Sequence, residues 1–272
     1  ANGSETLTVT PVDDGIYDAA GNEASTSQSN NTASLNAIGE SLKFDGSGDY
    51  VDLGDQLDIT GDFTISAYIN IENSETDYPI YAKSDETYSS GSLPKGYMFY
   101  INSNGWLHFC YRLSNGGSWV AIYYDMTMNY SQWYNVAVTR SNNDIQLFID
   151  GESVASGTFS GDITFPDDVN TYIARWWNGG AGYGSNYNGL IDEVGIWNDA
   201  LTAAEVTALY NSGVALDALS NSGDYASSDS LKGYWKMEEG TGTTLTDLSG
   251  NGNNGTISGA TWATGKKSSS YT

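Results

Sequence analysis

A chain of 272 residues with 10 Lys+Arg against 34 Asp+Glu carries a formal net charge of −24 at pH 7. That balance repels nucleic-acid phosphates and anionic membrane faces, and 39% hydrophobic with 13% aromatic residues separates the chain from disordered acidic tails. One cysteine, Cys110, excludes an internal disulfide, the single histidine, His108, argues against His-based triads and His-rich zinc sites, and no apolar run reaches the ~20 residues of a membrane span.

The chain opens Ala1-Asn2-Gly3, without Met or a signal-peptide pattern, and reads as processed or excised from something longer. Within residues 1–36, Leu7-Thr8-Val9-Thr10 is a strand candidate, while Thr26–Leu35 has the Ser/Asn-rich composition of a linker. From residue 37 the pattern changes to short alternating segments between Gly/Asn/Asp/Ser turns. Ser41–Phe44 and Tyr50–Leu53 flank Asp45-Gly46-Ser47-Gly48-Asp49, and Phe63–Ile71 alternates apolar with polar residues. Tyr97–Ile101 and Trp106–Leu113 flank Asn102-Ser103-Asn104-Gly105, a hairpin signal. Trp119–Tyr124, Trp133–Thr139, Ile145–Ile149, Tyr172–Trp177 and Leu190–Trp197 continue the series, with Ser141–Asp144 and Asp150-Gly151 as turns. Strands at this spacing, with no helices between them, predict an all-β antiparallel sandwich. One short helix interrupts it: Thr202 and Glu205 form a capping box, Ala203, Val206, Leu209 and Tyr210 an apolar stripe, and Gly213 a stop. Residues 214–230 read as a surface connector, Gly233–Met237 as a further strand, and Thr256–Trp262 as a last one before a tail at 265–272.

Two groups of residues could bind ligands. Asp247-Leu248-Ser249-Gly250-Asn251-Gly252-Asn253 places oxygen-bearing side chains at every second position with Gly at the sixth, an arrangement able to wrap a hard cation such as Ca2+. An Asx/Gly turn satisfying its own backbone is the competing reading. Arg175-Trp176-Trp177-Asn178-Gly179-Gly180, followed by Tyr183 and Tyr187, fits a glycan site, because sugars present flat apolar faces rimmed by hydroxyls. Adjacent tryptophans cannot both face the core of a regular strand, so one is expected in solvent or under the Gly-rich loop; the competing reading is that the loop folds back and buries its own aromatics. Trp106, His108 and Arg112, with Tyr123 on the next segment, form a second aromatic surface, read more readily as core or solvated sheet face.

Several of these stretches together resemble the laminin-G-like, concanavalin A-like jelly rolls of bacterial and phage surface proteins. The resemblance rests on Ser41–Val51, Asp62–Ile69, Trp133–Thr139, Leu147–Gly151 and above all Asn188-Gly189-Leu190-Ile191-Asp192-Glu193-Val194-Gly195-Ile196-Trp197 with Ala200-Leu201-Thr202. It implies one jelly-roll domain over 37–264 with a structural calcium near the 247–253 loop, so that Asp192 joins Asp247, Asn251 and Asn253 as a ligand. In that family a segment like Gly233–Gly240, running into Asp247–Asn251, opens the domain. Here it comes last: either strands within 231–262 complete a permuted sandwich, which is the expectation, or the segment begins a second repeat. Val9-Thr10-Pro11-Val12 and Tyr17-Asp18-Ala19-Ala20-Gly21-Asn22 resemble the end of a bacterial Ig-like repeat, which implies a multidomain array or fibre. The superfamily's hydrolases carry acids as Glu-x-Asp-x-x-Glu on one strand. No such run exists here, and the adjacent pairs Asp192-Glu193 and Glu238-Glu239 would fall on opposite faces of a regular strand, so no enzyme is expected.

Two functions follow as expectations. One is an extracellular, calcium-stabilised adhesin or lectin-like module that binds polysaccharide or cell-surface glycan. The other is a structural spacer of a surface filament or virion appendage, assembled through its termini with copies of itself or neighbouring modules. Neither predicts a nucleic-acid partner or membrane insertion.

Overall fold

In the computed structural model the described residues are 6–8, 32–34, 39–73, 76–85, 95–112, 119–125, 127–161, 163–165, 168–177 and 183–266. Alternation sets the architecture. In Phe63–Ile71 the residues Phe63, Ile65, Ala67, Ile69 and Ile71 point into one core, and Leu42, Phe44, Val136, Val138, Leu147, Ile191 and Val194 join them. Tyr81, Tyr97, Phe99, Phe109 and Tyr111 meet that layer from a facing sheet, all almost fully buried.

The first sheet runs, in spatial order, Glu152–Thr158, Asp144–Ile149, Trp133–Ser141, Phe63–Ile71, Asn188–Trp197, Glu40–Asp45 and Thr261–Thr264, with Leu231–Trp235 also paired to Asn188–Trp197. The second runs Thr244–Leu245, Gly255–Ser258, Tyr50–Asp52, Tyr172–Ile173, Tyr78–Asp85, Lys95–Ile101, Leu107–Arg112 and Trp119–Tyr124. All these pairings are antiparallel. The C-terminal segments thus enter both sheets. Residues predicted as one strand over Thr256–Trp262 form two, Gly255–Ser258 in the second sheet and Thr261–Thr264 in the first. Lys266 is no free tail, because its N–H donates to Asp192. Thr6–Thr8 and Thr32–Ser34 pair with each other, while the Ig-like motif, Val9–Val12 and Tyr17–Asn22, lies outside the described residues.

A second cluster covers the outer face of the first sheet. The Ala203–Tyr210 helix has the expected capping box, and it ends on Asn211, not Gly213, through a left-handed φ of 46°. Val206 and Leu209 of the helix pack on Phe148, Trp197 and Tyr234. The 214–230 connector takes part in this packing: Ala218 and Tyr225 are buried, and Trp197 donates through Nε1 to the Tyr225 hydroxyl. That cover explains why the polar row Thr64, Ser66 and Tyr68 is buried along with its apolar neighbours. No described helix is long and apolar enough to cross a membrane.

Candidate functional site

The outer face of the second sheet carries the aromatic residues that the core does not take. Tyr97, Phe99 and Ile101 point inward on one strand, and Leu107, Phe109 and Tyr111 on the next. Alternation therefore sends Met98, Tyr100, His108, Cys110 and Arg112 outward. Register sets Tyr100 opposite His108 and His108 opposite Tyr123, so three strands lay their rings in one row. The Tyr100 and His108 centroids are 5.0 Å apart, His108 stacks on Tyr123 at 5.1 Å, and Trp106 stacks on Tyr123 at 5.9 Å. Trp106, His108 and Tyr100 are half-buried, and Tyr123 is 53% exposed.

The hairpin turn fixes one end of the row. The Asn102 Oδ1 accepts from the N–H of Asn104 (2.9 Å) and of Trp106 (3.0 Å), an Asx turn that sets the backbone of Trp106. The other end of the same amide, Nδ2, lies 2.9 Å from the His108 Nε2. Asp77 accepts from the Ser103 N–H at 2.9 Å, which brings a carboxylate to the rim. Burial lowers the His108 pKa below its ordinary value, with the Asp77 charge pulling the other way.

The opposite wall is the hairpin Arg175–Trp177 with Tyr183–Asn186. Ala174 adopts φ +68°, which breaks the predicted Tyr172–Trp177 strand and turns its second half out of the second sheet. Trp176 consequently lies on Ala82, Met98 and Cys110 and meets Tyr100 edge-on at 5.0 Å. It is only 7% exposed. The Arg175 guanidinium, also buried, sits 3.8 Å over the Tyr50 ring and 5.1 Å over Tyr172. Tyr187 is fully buried between Phe44 and Tyr78. The expectation of an open aromatic loop is thereby corrected for Arg175, Trp176 and Tyr187, which the fold uses to seat the hairpin. Asn178 and the side chains of Trp177 and Tyr183 lie outside the described residues. Tyr100, Asn102 and Asp77 are not among the site residues legible in the sequence, which shows Asn102 only as part of a hairpin turn. Cross-strand pairing over the Asn102–Gly105 turn is the signal that reaches Tyr100.

The oxygen-rich loop is occupied with turn chemistry. Asp247 Oδ1 accepts from the N–H of Tyr234 and Ser249, and Oδ2 from the N–H of Asn253. Asn251 and Asn253 donate through Nδ2 to the carbonyls of Leu231 and Lys232. Asp192 belongs to another network, accepting from the N–H of Glu193 and of Lys266, and among the described residues shares no hydrogen-bond partner with Asp247. Among the described residues no group of three or more His, Cys, Asp or Glu side chains could hold a metal ion. A bulge between Asp192 and Gly195, with Glu193 at φ +50°, keeps Asp192 and Glu193 in electrostatic contact where a regular strand would separate them. Both are buried, Glu193 beneath the helix against Tyr234, and burial together with the Glu193 charge holds the Asp192 pKa well above the usual carboxylate range.

A family model described as the concanavalin A-like lectin/glucanases superfamily matches residues 45–207, a stretch that contains the whole aromatic row. No curated protein sequence matches the chain. Among solved structures, a candidate carbohydrate-binding protein from Bacteroides ovatus ATCC 8483 is 20% identical with a TM-score of 0.63, over 90% of this chain and 66% of that one. The chain therefore spans just under two thirds of that protein's length. The CBM40 of the Ruminococcus gnavus IT-sialidase, bound to α2,3 sialyllactose, is 16% identical with a TM-score of 0.54, over 64% of this chain and 98% of that one. The leech intramolecular trans-sialidase is 15% identical with a TM-score of 0.52, over 63% of this chain and 28% of that one.

Proposed function

The chain belongs to the concanavalin A-like lectin/glucanases superfamily, and from that premise we propose that it is a non-catalytic carbohydrate-binding module acting outside the cell, with its site on the outer face of the second sheet. The observation that carries the reading is the half-exposed row Trp106–Tyr123–His108–Tyr100, walled by Trp176 and rimmed by Asn102 and Asp77. Flat rings held in a fixed row present apolar surface to the C–H face of a pyranose, and the amide and carboxylate at the rim can meet its hydroxyls. The structural relatives named above include proteins described as binding carbohydrate, which agrees with this use of the fold. The Asp192–Glu193 pair supports a binding role over hydrolysis, because it is buried beneath the other sheet's cover, away from a polymer.

A glycan array probed with the isolated chain tests the proposal. Selective binding that Tyr123→Ala and Trp106→Ala abolish, with the fold intact, is the expected result. A blank array removes the reading and turns attention to the alternative of a spacer in a surface filament. Calcium is a separate proposal. The oxygen density of the 247–253 loop supports it, and the hydrogen bonds that occupy both Asp247 oxygens favour the turn reading.

A further inference from the structure

We propose that the aromatic row is proton-controlled: Asn102 holds His108 as the neutral imidazole with its proton on Nδ1, and protonation of His108 opens the row. This deepens the glycan-binding reading and rests on it for its consequence, though its geometry stands on the hydrogen bonds alone.

The orientation of the Asn102 amide follows from its partners. Two backbone N–H groups, those of Asn104 and Trp106, point at one end of it, and a backbone N–H can only donate. That end is therefore Oδ1, and the end 2.9 Å from His108 Nε2 is the donor Nδ2. A ring nitrogen that accepts a hydrogen bond carries no proton, so in the neutral ring the proton sits on Nδ1, 3.4 Å from the Tyr100 hydroxyl. An imidazolium would carry N–H at both nitrogens and set two donors face to face across the 2.9 Å gap. Asn102 cannot rotate away without giving up both bonds of the turn. The strain therefore falls on the turn that carries Trp106 or on the His108 ring itself, and both stack on Tyr123.

Among the described residues, the titratable groups facing His108 are Asp77 from the segment before Tyr78–Asp85, Tyr100 from the neighbouring strand and Tyr123 from the edge strand. Asp77 attracts the imidazolium, but burial disfavours it more strongly and the net effect is towards the neutral ring. A ligand lying on the intact row selects that neutral ring. One proton linked to binding lowers affinity by up to about tenfold for each pH unit below the His108 midpoint.

The single histidine makes the test direct, since the imidazole signals in an NMR spectrum of the tag-free chain need no assignment. Long-range 1H–15N correlations are expected to show an unprotonated Nε2 at pH 7 and a midpoint below 6.5, the ordinary histidine value. Contacts between the Trp106 and Tyr123 rings are expected to disappear across the same midpoint. Asn102→Asp keeps the acceptor of the Asx turn and replaces the donor facing Nε2 with a carboxylate oxygen, so it should raise the midpoint by about one unit or more. A proton on Nε2 at pH 7, or a midpoint that Asn102→Asp leaves in place, overturns the proposal. The titration uses no ligand, so a blank glycan array refutes the functional reading without touching this result, and the reverse holds equally.

Discussion

Replacing Trp176 and replacing Tyr123 should separate the ring that builds the site from the ring that meets the ligand. Trp176 is 7% exposed and packs on Ala82, Met98, Cys110 and Tyr100, so Trp176→Ala removes a buried indole and leaves a cavity on the sheet. Such truncations destabilise by ~3–5 kcal/mol, a large part of the ~5–15 kcal/mol that holds a domain folded. At about 2–4 °C per kcal/mol for chains near this length, the melting temperature falls by roughly 6–20 °C. Tyr123 is 53% exposed and contributes ring stacking on Trp106 and His108. A stack is worth ~0.5–1.5 kcal/mol and a half-exposed ring sits at the low end, so the two together contribute about 1 kcal/mol and Tyr123→Ala should lower the melting temperature by about 2–4 °C. Its effect on an array-selected glycan is larger: losing a central aromatic contact of ~2 kcal/mol or more weakens binding about thirtyfold. Differential scanning fluorimetry and isothermal titration calorimetry on both variants, with Trp176→Phe as the packing-conserving control, read the two effects separately. A Trp176→Ala protein that melts with the wild type, or a Tyr123→Ala protein that binds undiminished, refutes the assignment.

Further predictions concern what holds the scaffold. Lys83 is fully buried while its partners Asp55 and Asp58 are 42% and 55% exposed, so removing both aspartates strands an ammonium and should cost about 3–5 kcal/mol in urea unfolding. Lys83→Met leaves only solvated carboxylates and should cost clearly less; equal losses would contradict this asymmetry. Burial pushes the Glu205 pKa up, but the Ser227 hydroxyl, the Thr202 N–H and hydroxyl and the Ala226 N–H outweigh it and hold the pKa below 4.5. Stability from that ionised form is complete above the unfolded value and is lost as pH falls through the folded one. Glu205→Gln should therefore destabilise by ~1–3 kcal/mol at pH 7, and the gap to wild type should narrow below about pH 4. With a net charge of −24, melting temperature should rise with NaCl, and if the 247–253 loop is only a turn, calcium and chelator at fixed ionic strength should give the same value, which would refute the calcium proposal. A calcium-specific rise of several degrees would instead show that the 247–253 loop binds the cation.

Local chemistry in the sequence determined much of this protein. Alternation fixed the strands and their two faces, the Thr202–Glu205 box started the helix, and the Asn102–Gly105 turn paired the strands that carry Tyr100 and His108. These signals lie within a few residues of what they specify. What covers each face is non-local, and only the tertiary structure decided it. Trp176 and Tyr187 look like surface aromatics in a Gly-rich loop, yet Ala174 at φ +68° turns the hairpin so that Trp176 is buried on the second sheet, and Tyr187 enters the main core beside Phe44 and Tyr78. The bulge at Glu193 likewise holds two acids together that period-2 alternation would part. On the same second sheet, Trp176 packs on Cys110 while Tyr123 on the edge strand stays 53% exposed. Burial depends on which distant segment lands on a face, and a face's own residues do not encode that.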